Sequence, residues 1–308
     1  MTESIDALRL NLSEGGLMVM NISLAVIMFG VALELTIADF RRLVNDPKPT
    51  LVGMGSQFIL LPFITFLLIL FFKPQASLAL GMFMVAACPG GNISNFFSLL
   101  AKGNTALSVS LTAIATLAAI FLTPFNFAFW AGLYGPTDAI LKDIHLNLWE
   151  VFKIIVLILG IPLIAGMAVR HFKERTALKI SSWIKGFGIL FFSSFVIVAF
   201  AMNFENFVSY IHLVVALVLF HNAFALTGGY GLASLFDLPE IDRKSIAIET
   251  GIQNSGLGLL LIFNFFDGSG GMALVAAWWG IWHIVTGLTL GWYWSVGKTA
   301  LQRVFSNA

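Results

Sequence analysis

Hydrophobic residues fill the chain in long blocks with short polar breaks between them, and neither a helical stripe nor a strand alternation organises the blocks. A block of about 20 apolar residues matches the length a helix needs to cross the hydrocarbon of a bilayer. Such blocks fall near 17–37, 49–72, 77–102, 104–133, 147–170, 181–202, 208–235, 240–266 and 273–297, which predicts nine membrane-spanning helices. Two blocks are interrupted. The third carries Pro89-Gly90-Gly91 followed by Asn92, Ser94 and Asn95, and the eighth carries Gln253, Asn254, Ser255 and Gly256. Helix breaks inside a membrane free backbone N–H and C=O groups that water cannot reach, so each break must be satisfied by protein or must serve a ligand. Each interrupted block therefore reads as two half-helices.

The interruptions at Pro89 and Gln253 lie 164 residues apart, and the same offset carries the first block onto the sixth. The chain thus reads as four helices, a linker helix and four more, the second set entering the membrane in the opposite sense. Inverted repeats with paired broken helices are the sequence pattern of a secondary transporter and mark its binding site. The fold class expected is an all-α polytopic membrane protein with two inverted four-helix repeats and two broken, crossing helices.

Composition agrees, with 58% hydrophobic and 11% charged residues over 308. Basic residues fix the orientation expected. Arg9, Lys73, Lys142 and Lys153 fall on one side, and the other thirteen Lys and Arg, from Arg41 to Arg303, fall on the other. By the positive-inside bias the N-terminus faces out and the C-terminus the cytoplasm. The opening residues, with one Arg and three acids, lack the basic start of a removable secretory signal. The net charge of +1 and the lack of a basic tract speak against a nucleic-acid partner, and Cys88, alone, excludes an intrachain disulfide. Seven Trp residues, Trp149, Trp183, Trp278, Trp279, Trp282, Trp292 and Trp294, read as interface anchors, mostly near helix ends.

Glu249 is the acid set deepest in an apolar block, with no Lys or Arg at that depth. A carboxylate there costs about 2.5–3.5 kcal/mol on insertion scales unless it is partnered. It is either a neutral group pinning two helices or a cation ligand, and the lack of a basic partner favours the cation. Ser108 and Thr112 share one helix face with Thr116 a turn beyond, although a membrane Ser or Thr often bonds its own i−4 carbonyl. Gln57 adds an amide and stands, by the 164-residue offset, opposite His221-Asn222. His212, His221 and His283 each read as candidate core histidines. Oxygens of this kind suit a hard cation such as sodium.

The segments Cys88–Leu117 ("CPGGNISNFFSLLAKGNTALSVSLTAIATL") and Glu249–Leu257 ("ETGIQNSGL") resemble the two signature segments of the bile acid:sodium symporter family, and Met28–Phe40 resembles its first panel helix. The resemblance runs from Met28 to the end of the ninth block, in a nine-helix form. It implies a core domain of about 49–133 and 208–297 and a panel domain of about 17–37 and 147–202. It also implies one sodium site from Ser94, Asn95, Ser108, Thr112 and Glu249. A second would comprise Gln57, Glu249, Gln253 and the carbonyls of Thr250 and Ile252. Asn92, Asn254, Ser255 and His283 are the substrate-binding residues expected, because half-helices starting at Asn92 and Asn254 aim N–H groups and positive dipole ends at the crossing. The position after His283, often Asn in bacterial bile-acid binders, is Ile284, which leaves a bile acid and a small keto or hydroxy acid both open.

The function expected is sodium-coupled import of an organic anion by alternating access across a bacterial inner membrane. Sodium ions, two of them, are the coupling ions, with lipid as surroundings and no further cofactor. A proton-coupled transporter or exporter of the same architecture is the alternative. An intramembrane enzyme built on Glu249 and a histidine lacks a nucleophile or metal motif, so no enzymatic activity is expected.

Overall fold

The computed structural model describes residues 5–10, 13–144, 147–202 and 204–297, and among them regular structure is helical throughout. The helices are α1 (Glu14–Ala32), α2 (Ile37–Asn45), α3 (Pro47–Gly55), α4 (Leu61–Phe72), α5 (Ala76–Ala87), α6 (Ile93–Leu100), α7 (Thr105–Gly132) and α8 (Gly135–Ile144). They continue as α9 (Leu148–Ile155), α10 (Ile161–Phe172), α11 (Glu174–Met202), α12 (Phe204–Leu235), α13 (Glu240–Gly251), α14 (Ser255–Phe265) and α15 (Gly270–Trp292). Among the described residues six stretches are long and apolar enough to cross a membrane: Glu14–Ala32, Pro47–Phe72, Thr105–Gly132, Trp149–Phe172, Tyr210–Leu235 and Gly270–Val296.

Local chemistry explains the helix ends. Ser13, Asn104, Asn147 and Asn254 sit at N-caps, their side-chain oxygens accepting first-turn N–H groups. Single π turns, Ser56–Leu60 and Val156–Gly160, join α3 to α4 and α9 to α10, each followed within two residues by a proline. Pro62 leaves the Phe58 carbonyl without its helical N–H, and the Asn126 side chain of α7 donates to it at 3.0 Å. Gln57 therefore projects from a widened turn, a common device at functional positions.

Three expectations change. The first apolar block stops as a helix at Ala32, because Leu33–Thr36 turn and the Asp39 carboxylate accepts the Thr36 N–H (2.7 Å) and hydroxyl (2.8 Å). The sixth block belongs to a longer helix, α11, that starts at Glu174. Trp279 is no interface anchor: it is fully buried in mid-α15, its ring 4.8 Å from that of His221, whereas Trp149, Trp183 and Trp292 are exposed. Lys298 and Arg303 of the orientation argument, with the C-terminal tail, lie outside the described residues.

Helix α5 is buried from Ser77 to Ala87 between α15 and α7, and α12 packs along α13 and α15. Helix α1 packs on α10 and α11, where the Ser181 hydroxyl donates to Glu34 at 2.8 Å. A reciprocal amide pair, Asn21 with Asn264 (3.0 and 3.3 Å), joins α1 to α14. Large apolar side chains such as Met18, Phe121, Phe125, Leu157 and Ile164 face outward, as a bilayer requires and water does not. Residues 5–10, ahead of α1, fold back over the molecule. The Leu10 N–H donates to the Gly268 carbonyl and the Gly270 N–H to the Leu8 carbonyl, each at 2.8 Å, while the Asp6 carboxylate accepts the Ser77 N–H at the start of α5.

Candidate functional site

The two broken helices meet back to back at their breaks. Residues 88–92 between α5 and α6, and 252–254 between α13 and α14, run antiparallel, with a single bridge between Gly90 and Gln253. The Gly91 N–H donates to the Ile252 carbonyl at 2.7 Å and the Asn254 N–H to the Pro89 carbonyl at 2.9 Å. Groups freed by one break thus satisfy those freed by the other, which lets two helices stop in a buried place.

The carbonyls at the end of α13 can be accounted for individually. Ile248 accepts the Ile252 N–H (2.8 Å), and Thr250 accepts the Gln253 side-chain amide (2.8 Å), which also lies 3.5 Å from the Glu249 carbonyl. Gly251 accepts the Asn222 amide of α12 (2.7 Å). Buried side-chain oxygens remain without a partner at Gln253 Oε1, Asn222 Oδ1 and Asn92 Oδ1.

Beside this junction the fully buried Glu249 carboxylate lies among uncharged oxygens. The Ser94 and Ser108 hydroxyls donate to Oε1, and Thr112 Oγ1 stands 3.1 and 3.2 Å from Oε1 and Oε2. Asn95 Oδ1 lies 2.9 Å from Ser108 Oγ and 3.3 Å from Thr112 Oγ1, and Ser94 Oγ is 3.4 Å from Thr112 Oγ1. Three hydroxyl protons cannot occupy all these close oxygen pairs. A positive ion among them would be attracted to every member, and hard cations take carboxylate, hydroxyl and carbonyl oxygens together. If a cation occupies the cluster, Ser108→Ala and Thr112→Ala each weaken its binding by about 1 kcal/mol, roughly fivefold in affinity, measured by cation-dependent thermal shift.

On the other side of the carboxylate, Gln57 Nε2 donates to Oε2 at 3.4 Å and Gln57 Oε1 accepts the Gly90 N–H at 3.2 Å. Gln57, Ser94, Asn95, Ser108, Thr112 and Glu249 are therefore brought together. Thr250, Ile252 and Gln253 adjoin them, with the Thr250 carbonyl under the Gln253 amide and the Ile252 carbonyl under Gly91 N–H; each carbonyl keeps a second lone pair. Thr116 stays outside the cluster, its hydroxyl donating to the Thr112 carbonyl of its own helix at 2.7 Å.

The two half-helix starts differ. Asn254 Oδ1 caps α14 through the Leu257 N–H at 3.0 Å, whereas Asn92 makes no cap bond and its buried Oδ1 lacks a partner. Ser255 lies against Gly280 of α15, where an added Cβ would stand 2.7 Å from Ser255 Oγ, and His283, one turn further along α15, is buried with Nδ1 unpartnered. Of the other histidines, His221 is buried, with Nε2 2.6 Å from Thr65 Oγ1, and His212 is exposed. Among the polar residues at helix contacts that the sequence pattern leaves unassigned are the amides Asn21, Asn126 and Asn264. The signal available for each is an amide inside an apolar block, a costly placement unless it meets a partner.

Residues 21–210 match the Sodium Bile acid symporter family. Over 274 residues, 89% of this chain and 82% of the relative, the chain is 33% identical to the "Uncharacterized sodium-dependent transporter YocS" of Bacillus subtilis (strain 168). It is 32% identical over 247 residues to the "Probable sodium/metabolite cotransporter BASS2, chloroplastic" of Oryza sativa subsp. japonica, covering 80% of this chain and 56% of that one. It is 31% identical over 235 residues to the "P3 protein" of Bos taurus, covering 76% and 48%. The chain thus spans about half the length of these last two relatives.

Proposed function

Because the chain belongs to the sodium bile acid symporter family, matched over residues 21–210, we propose that it couples entry of an organic anion to sodium by alternating access. The observation that carries the reading is the buried Glu249 carboxylate, held by Ser94, Ser108, Thr112 and Gln57 with no Lys or Arg among those partners. One sodium ion sits among Ser94, Asn95, Ser108, Thr112 and Glu249. A second sits by Gln57, Glu249 and the Thr250 and Ile252 carbonyls once the Gln253 amide turns its oxygen inward.

Nine crossings follow if each broken pair, α5 with α6 and α13 with α14, and the helix α11 also span the membrane. The 164-residue offset and the antiparallel meeting of the two breaks support an inverted repeat. Packing of α1 against α10 and α11 supports a panel that moves against the core. The N-terminus faces out, and the C-terminus faces the cytoplasm of a bacterial cell.

The substrate is a carboxylate whose charged end docks near Asn92, whose half-helix start is uncapped, with Asn254, Ser255 and His283 as its further contacts. Its apolar body meets the panel. Two sodium ions entering down a tenfold gradient release about 2.8 kcal/mol, and one net charge moving across 100 mV releases about 2.3 kcal/mol. Together these sustain a substrate gradient of several thousandfold. In proteoliposomes given a panel of bile acids and keto or hydroxy acids on the outside, uptake should require sodium and vanish when choline replaces it at fixed pH. Uptake that persists in choline and follows a proton gradient would instead put a proton on Glu249 and overturn the sodium reading.

A further inference from the structure

Resting on the sodium reading, we infer that Asn222 is a positioning residue for the cation site. It holds the Gly251 carbonyl and thereby fixes where the neighbouring carbonyls of Thr250 and Ile252 point. Asn222 is fully buried on α12, and its Nδ2 donates to the Gly251 carbonyl at 2.7 Å. Its Oδ1 has no partner, so the amide is used here as a donor alone.

Gly251 is the last residue of α13, and a side chain there would strike Leu226, one turn beyond Asn222 on the same face of α12. That close approach is what brings the short Asn222 side chain within reach of the backbone. The rotation of α12 is pinned next door. The Thr65 hydroxyl donates to the Leu61 carbonyl at 2.8 Å, so it accepts from His221 Nε2–H at 2.6 Å, and the His221 ring packs against Trp279. Asn222 is thus held by neighbours that take no part in the site.

The neighbouring carbonyls are braced differently. Thr250 is covered by Gln253, whose amide must turn for its own oxygen to reach a cation, while Ile252 is held by the Gly91 N–H. When Gln253 turns, the Asn222 brace on Gly251 is the side-chain bond left to a carbonyl at the end of α13, while Ser56 Oγ, 2.7 Å from Thr250 Oγ1, holds that residue by its side chain only. Gln57 does the corresponding work at the other break, accepting the Gly90 N–H at 3.2 Å. Asn222 follows by one residue the position that the 164-residue offset pairs with Gln57. One amide thus touches the carboxylate directly, and the other acts one peptide away.

Residues that orient ligands without touching the ion typically change affinity by about 10–100-fold when removed. In proteoliposomes, Asn222→Ala and the bulkier, donor-less Asn222→Leu should raise the sodium concentration for half-maximal uptake by at least about tenfold. Saturating sodium should restore the maximal rate to within about twofold, and the substrate half-saturation measured there should not change. A sodium half-saturation within about twofold of the unaltered protein, in either folded variant, overturns the inference. So does a lost maximal rate that sodium does not restore, or failure of both variants to fold, since each makes Asn222 a general structural residue. If the unaltered protein shows no sodium dependence, the sodium reading itself falls, a result distinct from a sodium-dependent protein that ignores Asn222.

Discussion

Glu249→Gln should abolish sodium-dependent uptake while leaving a folded protein. The replacement keeps the length and planarity of the side chain, and its amide oxygen still accepts a hydroxyl from Ser94 or Ser108, so the packing around α13 survives. The negative charge does not survive. Charge-assisted contacts contribute about 1.5–3 kcal/mol each. Glu249 adjoins both proposed cation positions, so sodium affinity should fall by more than about a hundredfold. The Gln nitrogen also turns two protons toward the space that a cation would occupy, which repels it further. Uptake in proteoliposomes, with thermal unfolding as the check on folding, measures this. A Glu249→Gln protein with unaltered sodium dependence would leave the carboxylate a structural task, pinning α13 to α6 and α7.

Gly90→Ala should be nearly as damaging, for a different reason. A Cβ at Gly90 would stand 2.7 Å from Glu249 Oε2, 3.3 Å from the Glu249 carbonyl oxygen and 3.4 Å from Gln57 Nε2. The Gly90 backbone cannot retreat easily, because Gly90 bridges to Gln253 and its neighbour Gly91 is bonded to Ile252. What gives way is the carboxylate at the end of its side chain. Overpacking of this size costs about 1–3 kcal/mol, and here it falls on the cation site more than on the helices. Sodium half-saturation should rise at least about tenfold. The sodium-induced rise in melting temperature should shrink, while melting without sodium moves by only about 2–4 °C or less. Native sodium affinity in Gly90→Ala would mean that the ion sits elsewhere.

These two predictions depend on features that differ in how plainly the sequence announces them. Pro89-Gly90-Gly91 and the polar run after Glu249 stand out because apolar helices have no other use for them, and the structure breaks α5 from α6 and α13 from α14 there. Ser108 and Thr112 are legible by their spacing and meet Glu249 as expected, yet Thr116, on the same stripe, bonds its own helix. Spacing gives the face of a helix and says nothing of what stands opposite. The end of α1 is hidden because Leu33 and Leu35 carry the apolar block through its closing turn, where Glu34 between them and Asp39 reaching back to Thr36 are the polar marks. The burial of Trp279 is equally silent, since a tryptophan in an apolar block suits lipid or core alike. The pairing of Asn21 with Asn264 joins residues too distant for any local pattern to connect.

The backward fold of residues 5–10 imposes an order on biosynthesis. Ile5, Leu8 and Leu10 leave the ribosome long before Gly270 and Gly268, to which Leu8 and Leu10 respectively are bonded. Ser77, whose N–H Asp6 accepts, arrives earlier, so one end of the clasp can form while the other waits. Helices can insert one after another, each satisfying its own backbone, yet this contact closes the long loop from Leu10 to Gly268 and comes late for entropic reasons. Protease added to the outer face of spheroplasts holding stalled nascent chains should therefore find the N-terminal segment accessible until the turn between α14 and α15 has crossed the membrane, and protected afterwards.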